Sequence, residues 1–287
     1  KNMAIDKIFF VLTYIGIISS NIEPFMNYLF KNRNYFAPSI RKIKEIVESK
    51  AHTVQRERME EKIEEIELRD VEFSYGENKI LNKINMKIKR GEKGALIGKS
   101  GEGKTTLVKI ITGSEIPQKG KTLMNGKEIC VTENVYEKIG ILSQNSHIFN
   151  RSIKENITMG REIEEKELER ILEMSGVKSF LNNTEKGLEK NAGQNGSNLS
   201  GGQRVRIALA RMMISDPEII ILDEPLEGVD KIKEEEVIGN IRKYTENKTL
   251  IIISHRFSIL SMATRIIGIE KGRVVLDDEK EKALKDD

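Results

Sequence analysis

The sequence has a single cysteine, Cys130, so no disulfide can form within the chain, which suits a reducing compartment. It also lacks an excess of either charge. Lys and Arg total 48 against 45 Asp and Glu, and a net charge of +3 on 287 residues is too small to imply a nucleic-acid partner by itself. No internal repeat or low-complexity tract is present, so a repeat array is excluded. A bilayer-crossing helix takes about 20 predominantly apolar residues. The uncharged run nearest to that, Ile8 to Ile22, falls just short. What is present is 38% hydrophobic and 32% charged residues, a balance that requires a folded soluble domain. At roughly 150 residues per domain the length suggests about two.

The amino terminus departs from that average. Ile8 to Ile22 is followed by Glu23-Pro24 and a second apolar patch from Phe25 to Phe30. On hydropathy alone a buried core helix and a membrane span weigh equally. A secretory signal fits less well, because no initiator Met opens the chain, no small-residue cleavage site follows and Pro24 leads into more apolar sequence. Lys1 as first residue gives the chain the look of a piece of something longer. Six basic residues follow the run, namely Lys31, Arg33, Arg41, Lys42, Lys44 and Lys50, and the excess of positive charge expected on cytoplasmic flanks puts that side in the cytoplasm. Ile40, Ile43, Ile46 and Val47 then recur at helical spacing in highly charged surroundings, which predicts a helix leaving the membrane and then a polar linker.

From Ile66 the period changes to two. Ile66, Leu68 and, after a slip, Val71, Phe73 and Tyr75 alternate with polar residues, as do Ile84, Met86 and Ile88 after a turn around Gly76-Glu77-Asn78. These are predicted as antiparallel strands. Continuous apolar runs at Ala95 to Ile97, Ile219 to Leu222 and Leu250 to Ile253 predict strands buried on both faces of a parallel sheet, hence an α/β core.

Three motifs carry chemistry. Gly98-Lys99-Ser100-Gly101-Glu102-Gly103-Lys104-Thr105 matches G-x-x-x-x-G-K-[ST] between a short strand and the helix-like run Thr106 to Ile111. Its glycines let backbone amides converge on phosphates at a helix N-terminus, Lys104 adds a point charge, and the Thr105 hydroxyl can bind Mg²⁺. Ile219 to Leu222 runs into Asp223-Glu224-Pro225, two carboxylates at the edge where open α/β sheets place ligands. There Asp223 can hold Mg²⁺ and Glu224 can take a proton from an attacking water. Leu199-Ser200-Gly201-Gly202-Gln203 precedes a periodic helix. Ser200 is a suitable N-cap there, and the two glycines leave amides open as a second anion site. Each has a bland alternative: a glycine-rich turn, an acidic strand end, a helix cap. Their combination favours function.

Together these residues resemble the nucleotide-binding domain of ATP-binding cassette (ABC) proteins over about residues 66 to 275, with Walker A at Gly98 to Thr105, Walker B at Ile219 to Glu224 and the signature at Leu199 to Gln203. The resemblance implies a P-loop NTPase cassette with a mixed, largely parallel core sheet, an antiparallel β subdomain and a helical signature subdomain. It further matches Tyr75 to the adenine-stacking aromatic, Gln144 to the Q-loop glutamine, Asp230 to the D-loop aspartate and His255 to the switch histidine. Taken alone, Tyr75 alternates properly for core packing, a lone His after a strand is usually structural and a lone Gln is usually surface. Phe149 to Ile157, Arg204 to Arg211 and His255-Arg256 are similar to the exporter branch, in which membrane and ATPase domains share a chain. Residues 1 to 50, including Pro24 and Phe36 to Arg41, resemble the last transmembrane helix of a half-size exporter and its cytoplasmic extension. The expected organisation is therefore that segment at 1–50, a linker at 51–65 and the cassette at 66–287.

The resemblance implies ATP hydrolysis with Mg²⁺, powering export of an unidentified substrate across a membrane, with the cassette on the cytoplasmic side. Within one subunit Tyr75 would stack on adenine and Gly98, Ser100, Gly101, Gly103, Lys104, Thr105 and Thr106 would hold phosphates. Thr105, Gln144 and Asp223 would organise the metal, and Glu224 and His255 would act on the γ-phosphate and its water. Ser200, Gly201, Gly202, Gln203 and Asp230 would complete the site of a partner half-transporter, in a homodimer or a heterodimer. The other partners implied are membrane lipid and the transported substrate; nucleic acid is not expected. The alternative is a soluble ABC-type ATPase working as a mechanical module on nucleic acid or ribosomes, which would have no reason to carry the apolar run. Three departures stand out: Leu226-Glu227-Gly228-Val229 replaces Thr-Ser-Ala-Leu before Asp230, Gln194 replaces a common glutamate before the signature, and Glu102 replaces a common serine in Walker A.

Overall fold

The computed structural model describes residues 11–22, 24, 26, 28, 40–44, 61–128, 135–143, 146–181 and 186–283. Its contacts divide the chain into two units, Lys1–Gln55 and Arg56–Asp287. In the first, residues 11–22 and 40–44 are helical, and Val11, Leu12, Ile15, Ile18 and Ile22 are exposed. Most of the second apolar patch and of the expected cytoplasmic extension lies outside the described residues. Among the described residues no helix is long and apolar enough to cross a membrane.

The second unit carries two sheets. Strands β1 (Glu65–Tyr75), β2 (Asn78–Lys89), β4 (Lys119–Met124) and β5 (Lys127–Glu128) form an antiparallel sheet in the order β2-β1-β4-β5. The alternation read from Ile66 sets the register, with Ile66 opposite Ile88 and Leu68 opposite Met86. The slip in that alternation is a bulge: Asp70 takes a left-handed φ of 48°, and the register shifts between Leu68 and Val71. Asn125 and Gly126, both at positive φ, make the two-residue turn joining β4 to β5, as the mirror-image hairpin turn requires.

The second sheet orders β10-β9-β3-β8-β7-β6, from β3 (Lys93–Ile97), β6 (Ile139–Ser143), β7 (Ile219–Asp223), β8 (Thr249–Ile253), β9 (Arg265–Glu270) and β10 (Arg273–Glu279). The contacts of β3 with β8 and β9, of β7 with β8 and of β6 with β7 are parallel, while β9 and β10 form an antiparallel hairpin. The three apolar runs are thus its adjacent centre, β3, β8 and β7. Their residues divide by alternation between two cores. Ile220, Leu222, Leu250 and Ile252 face the helices that follow the signature, and Ile219, Ile221, Ile251 and Ile253 face the antiparallel sheet. Parallel strands buried on both faces place their carboxyl ends along one edge, where the site lies.

Candidate functional site

At that edge Gly98, Lys99, Ser100, Gly101, Gly103, Lys104, Thr105 and Thr106 line a cleft of about 980 Å³ together with Asp223, Glu224, Ser254 and His255. The loop's shape follows from its glycines. Gly103, at φ 97°, caps the helix Lys104–Ile111, and a Cβ there would lie 2.8 Å from Leu81 Cδ2. A Cβ on Gly98, at φ 150°, would meet the Ile269 carbonyl oxygen at 2.4 Å, so only glycine lets β3 turn under β9. Lys104 bends back over the loop, its Nζ donating to the carbonyls of Gly98 and Lys99, each at 2.7 Å. A cation over converging amides at a helix N-terminus is an anion receptor.

Opposite stands the end of β7. Ladder pairing aligns Ser143, Asp223 and Ile253 across β6, β7 and β8. The chain then turns sharply: Glu224 takes a left-handed φ of 48° while its amide donates to the Ile253 carbonyl at 2.8 Å. A non-glycine residue in that region is uncommon. Here it aims the carboxylate at the start of the next loop, where Ser254 Oγ donates to Glu224 Oε2 at 2.9 Å and His255 Nδ1 lies 3.0 Å from Oε1. Ser254 Oγ in turn accepts from the Arg256 amide, and Arg256 and Ser258 both bind the buried Glu234 carboxylate. The loop bearing His255 is therefore tied to the helix Lys231–Tyr244.

Asp223 is half-buried. Burial pushes its carboxyl above the ordinary carboxylate range, the neighbouring Glu224 adds to this, and Lys104 offsets part of it. Two adjacent carboxylates with one nearby ammonium leave negative charge that a hard cation would relieve. Thr105 and Asp223 offer the oxygen donors suited to Mg²⁺. No group of three or more His, Cys, Asp or Glu side chains able to cage a metal exists among the described residues. Gln144, the third expected ligand, lies outside the described residues, although Ser143 brings the chain to the edge beside Asp223.

The expected residues do not all converge. Tyr75 is 44% exposed and lies outside the cleft's lining; Phe73 packs edge-on to it at 4.9 Å, and Lys109 and Glu115 meet its hydroxyl. Ser200 caps the helix Gly201–Ile214, and Gln203 completes a capping box by accepting from the Ser200 amide at 2.9 Å. Gly201 lines a second cleft with Ser143, Asn195, Arg204 and Glu227. Asp230 precedes the helix Lys231–Tyr244 without capping it through its side chain.

The departures find local reasons. Leu226 and Val229 are buried in the core, Glu227 borders both clefts and Gly228 turns at φ 72°. Gln194 is exposed in a short 3₁₀ turn beside the second cleft. Sequence reasoning left Ser143, Ser254 and Glu227 without a role. For Ser254 the available signal was a hydroxyl directly after a fully apolar run, at the strand end where ligands sit.

A family model described as ABC transporter matches residues 81–227. The chain is 36% identical over 225 residues to an ATP-dependent lipid A-core flippase of Desulfotalea psychrophila, covering 77% of this chain and 39% of that protein. It is 34% identical over 230 residues to the leukotoxin export ATP-binding protein LtxB of Aggregatibacter actinomycetemcomitans, covering 78% of this chain and 32% of that one. It thus spans less than half the length of either relative. A bacterial Atm1-family ABC exporter with ATP bound shares the fold with a TM-score of 0.79 at 23% identity, covering 90% of this chain and 47% of that chain.

Proposed function

Since this chain belongs to the ABC transporter family, we propose that it is the ATP-hydrolysing portion of a membrane exporter, with its cassette on the cytoplasmic side. The observation that carries the reading is one cleft with the phosphate loop on one wall and the Glu224–Ser254–His255 group on the other. Relatives named for lipid A-core flipping and for leukotoxin export support export as the work done.

In the reading, ATP lays its phosphates on the loop amides at the start of the helix Lys104–Ile111, and Lys104 exchanges the Gly98 and Lys99 carbonyls for phosphate oxygens. Thr105 and Asp223, with Gln144, would hold Mg²⁺, which when bound would neutralise phosphate charge. Glu224 accepts a proton from a water as its oxygen attacks the γ-phosphorus, and the bond to the ADP oxygen breaks. Ser254 holds one Glu224 oxygen, leaving the other to exchange His255 for that water, while His255 turns to the γ-phosphate. Tyr75 stacks on adenine. Ser200 and Gly202 at the start of the signature helix serve the nucleotide of a second half-transporter, identical or different, and that second subunit serves this one.

The test is Glu224→Gln in the full chain. The amide cannot accept the proton, so ATP binding persists while steady-state hydrolysis falls on the order of 10²- to 10⁴-fold. Turnover near wild type refutes the role of Glu224.

A further inference from the structure

Glu102 replaces a residue commonly serine, and no role in phosphate binding accounts for its carboxylate. In the fold that carboxylate points away from the phosphate cleft: Glu102 Oε2 accepts a hydrogen bond from the backbone amide of Lys271, a residue 169 positions away in the turn between β9 and β10. Lys271 and Gly272 both take positive φ, 48° and 71°, the conformation of a two-residue hairpin turn. The carboxylate thus takes up an amide that has no partner inside its own turn.

The same turn is packed from two other sides. Asn82 donates from its amide to the Gly272 carbonyl at 2.8 Å, and a Cβ on Gly272 would stand 2.1 Å from the Ile80 carbonyl oxygen. Ile80 and Leu81 are also the residues that a Cβ on Gly103 would strike, and Ile269 the one that a Cβ on Gly98 would strike. The phosphate loop is therefore packed at its first glycine against β9 and at its last glycine against β2, and is held at Glu102 by the turn between β9 and β10, on which β2 also packs.

We infer that Glu102 is a positioning residue that latches the phosphate loop to the β9–β10 turn through the Lys271 amide and so holds the loop amides ready for a nucleotide triphosphate. This rests on the nucleotide reading of the cleft. Without the latch the loop must be ordered at the expense of binding. Turning the carboxylate onto Lys271 also keeps its negative charge off the phosphates.

The test compares wild type, Glu102→Ala and Glu102→Gln in the full chain by two measurements: amide exchange at Lys271 without nucleotide, and the Kd for MgATP. Glu102→Ala should speed exchange at Lys271 and weaken MgATP about tenfold, equivalent to about 1.4 kcal/mol. Glu102→Gln keeps an acceptor oxygen and should restore both readouts to within about twofold of wild type, well under the tenfold that 1.4 kcal/mol represents. The latch is overturned if Glu102→Ala binds MgATP as tightly as wild type, or if Glu102→Gln follows Ala in both measurements. A wild-type chain that binds no MgATP refutes the nucleotide reading instead, and exchange at Lys271 still reports separately on the contact.

Discussion

Gly201 and Gly202 are sequence neighbours that the fold treats in opposite ways. A Cβ on Gly201 would lie 1.8 Å from the Gly228 carbonyl oxygen and 2.7 Å from its carbon, whereas a Cβ on Gly202 has nothing nearer than Arg206 Nη2 at 3.8 Å. Because the first contact is backbone, no rotamer change relieves it. Carbon and oxygen approach to roughly 3.3 Å at closest, so the helix start or the Gly228 turn must move by about 1.5 Å. Leu226 and Val229 anchor that turn in the core and resist the movement. Overpacking of this kind costs about 2–3 kcal/mol. At about 2–4 °C per kcal/mol for a domain of this size, Gly201→Ala should lower the cassette's melting temperature by about 4–12 °C. Gly202→Ala meets only ordinary van der Waals contacts, with Arg206 Nη2 and Val229 Cγ1 each at 3.8 Å, and gains up to about 1 kcal/mol of helix propensity, so it should melt at or above wild type. Calorimetry on the full chain in detergent decides. A Gly201→Ala protein within about 1 °C of wild type, or a Gly202→Ala protein that falls as far, refutes the claim that packing against Gly228 is what demands glycine.

Ser254→Ala removes the donor to Glu224 Oε2; kcat should fall about tenfold, equivalent to about 1.4 kcal/mol of barrier, with KM for ATP unchanged, and a higher KM at full kcat would show that the hydroxyl serves binding instead. Arg206 is 4% exposed and donates to Gly176 O, Ser179 Oγ and Glu236 Oε1. Arg206→Met should cost about 1–3 kcal/mol by stranding the buried Gly176 carbonyl, while Glu236→Gln, at a half-exposed partner, should cost under about 1 kcal/mol. Equal losses in the two melts would contradict the assignment of that energy to the buried Gly176 carbonyl.

How much of this was legible beforehand depends on how far along the chain each cause reaches. Alternation from Ile66 to Ile88 is a local pattern, and even its slip marked the Asp70 bulge. Apolar runs without alternation announced β3, β7 and β8 because a strand covered on both faces has no polar side to display. The hairpin of β9 and β10 was missed. β9 is apolar at Ile266, Ile267 and Ile269 with a glycine between, while β10 alternates exposed and half-buried residues, so neither gives a clean pattern although Lys271-Gly272 makes the turn.

Tyr75 and Arg206 show periodicity misleading in opposite directions. Tyr75 keeps the core phase of its strand and yet stands 44% exposed at the strand end, where β1 gives way to a turn. Arg206 sits among the apolar residues of its helix, where a charge ordinarily faces water, but the helix Gly201–Ile214 is packed on more than one side. Its guanidinium is buried where the carbonyl of Gly176, the Ser179 hydroxyl and Glu236 can all accept from it. Motifs name the loops because their chemistry needs contiguous residues. What aims those loops is remote in sequence: Ser254 lies 30 residues from Glu224, and Lys271 lies 169 from Glu102. Such pairings form only once the parallel sheet has brought its strand ends to one edge, so a reading of contiguous motifs finds the reacting groups first and the groups that position them only in the folded chain.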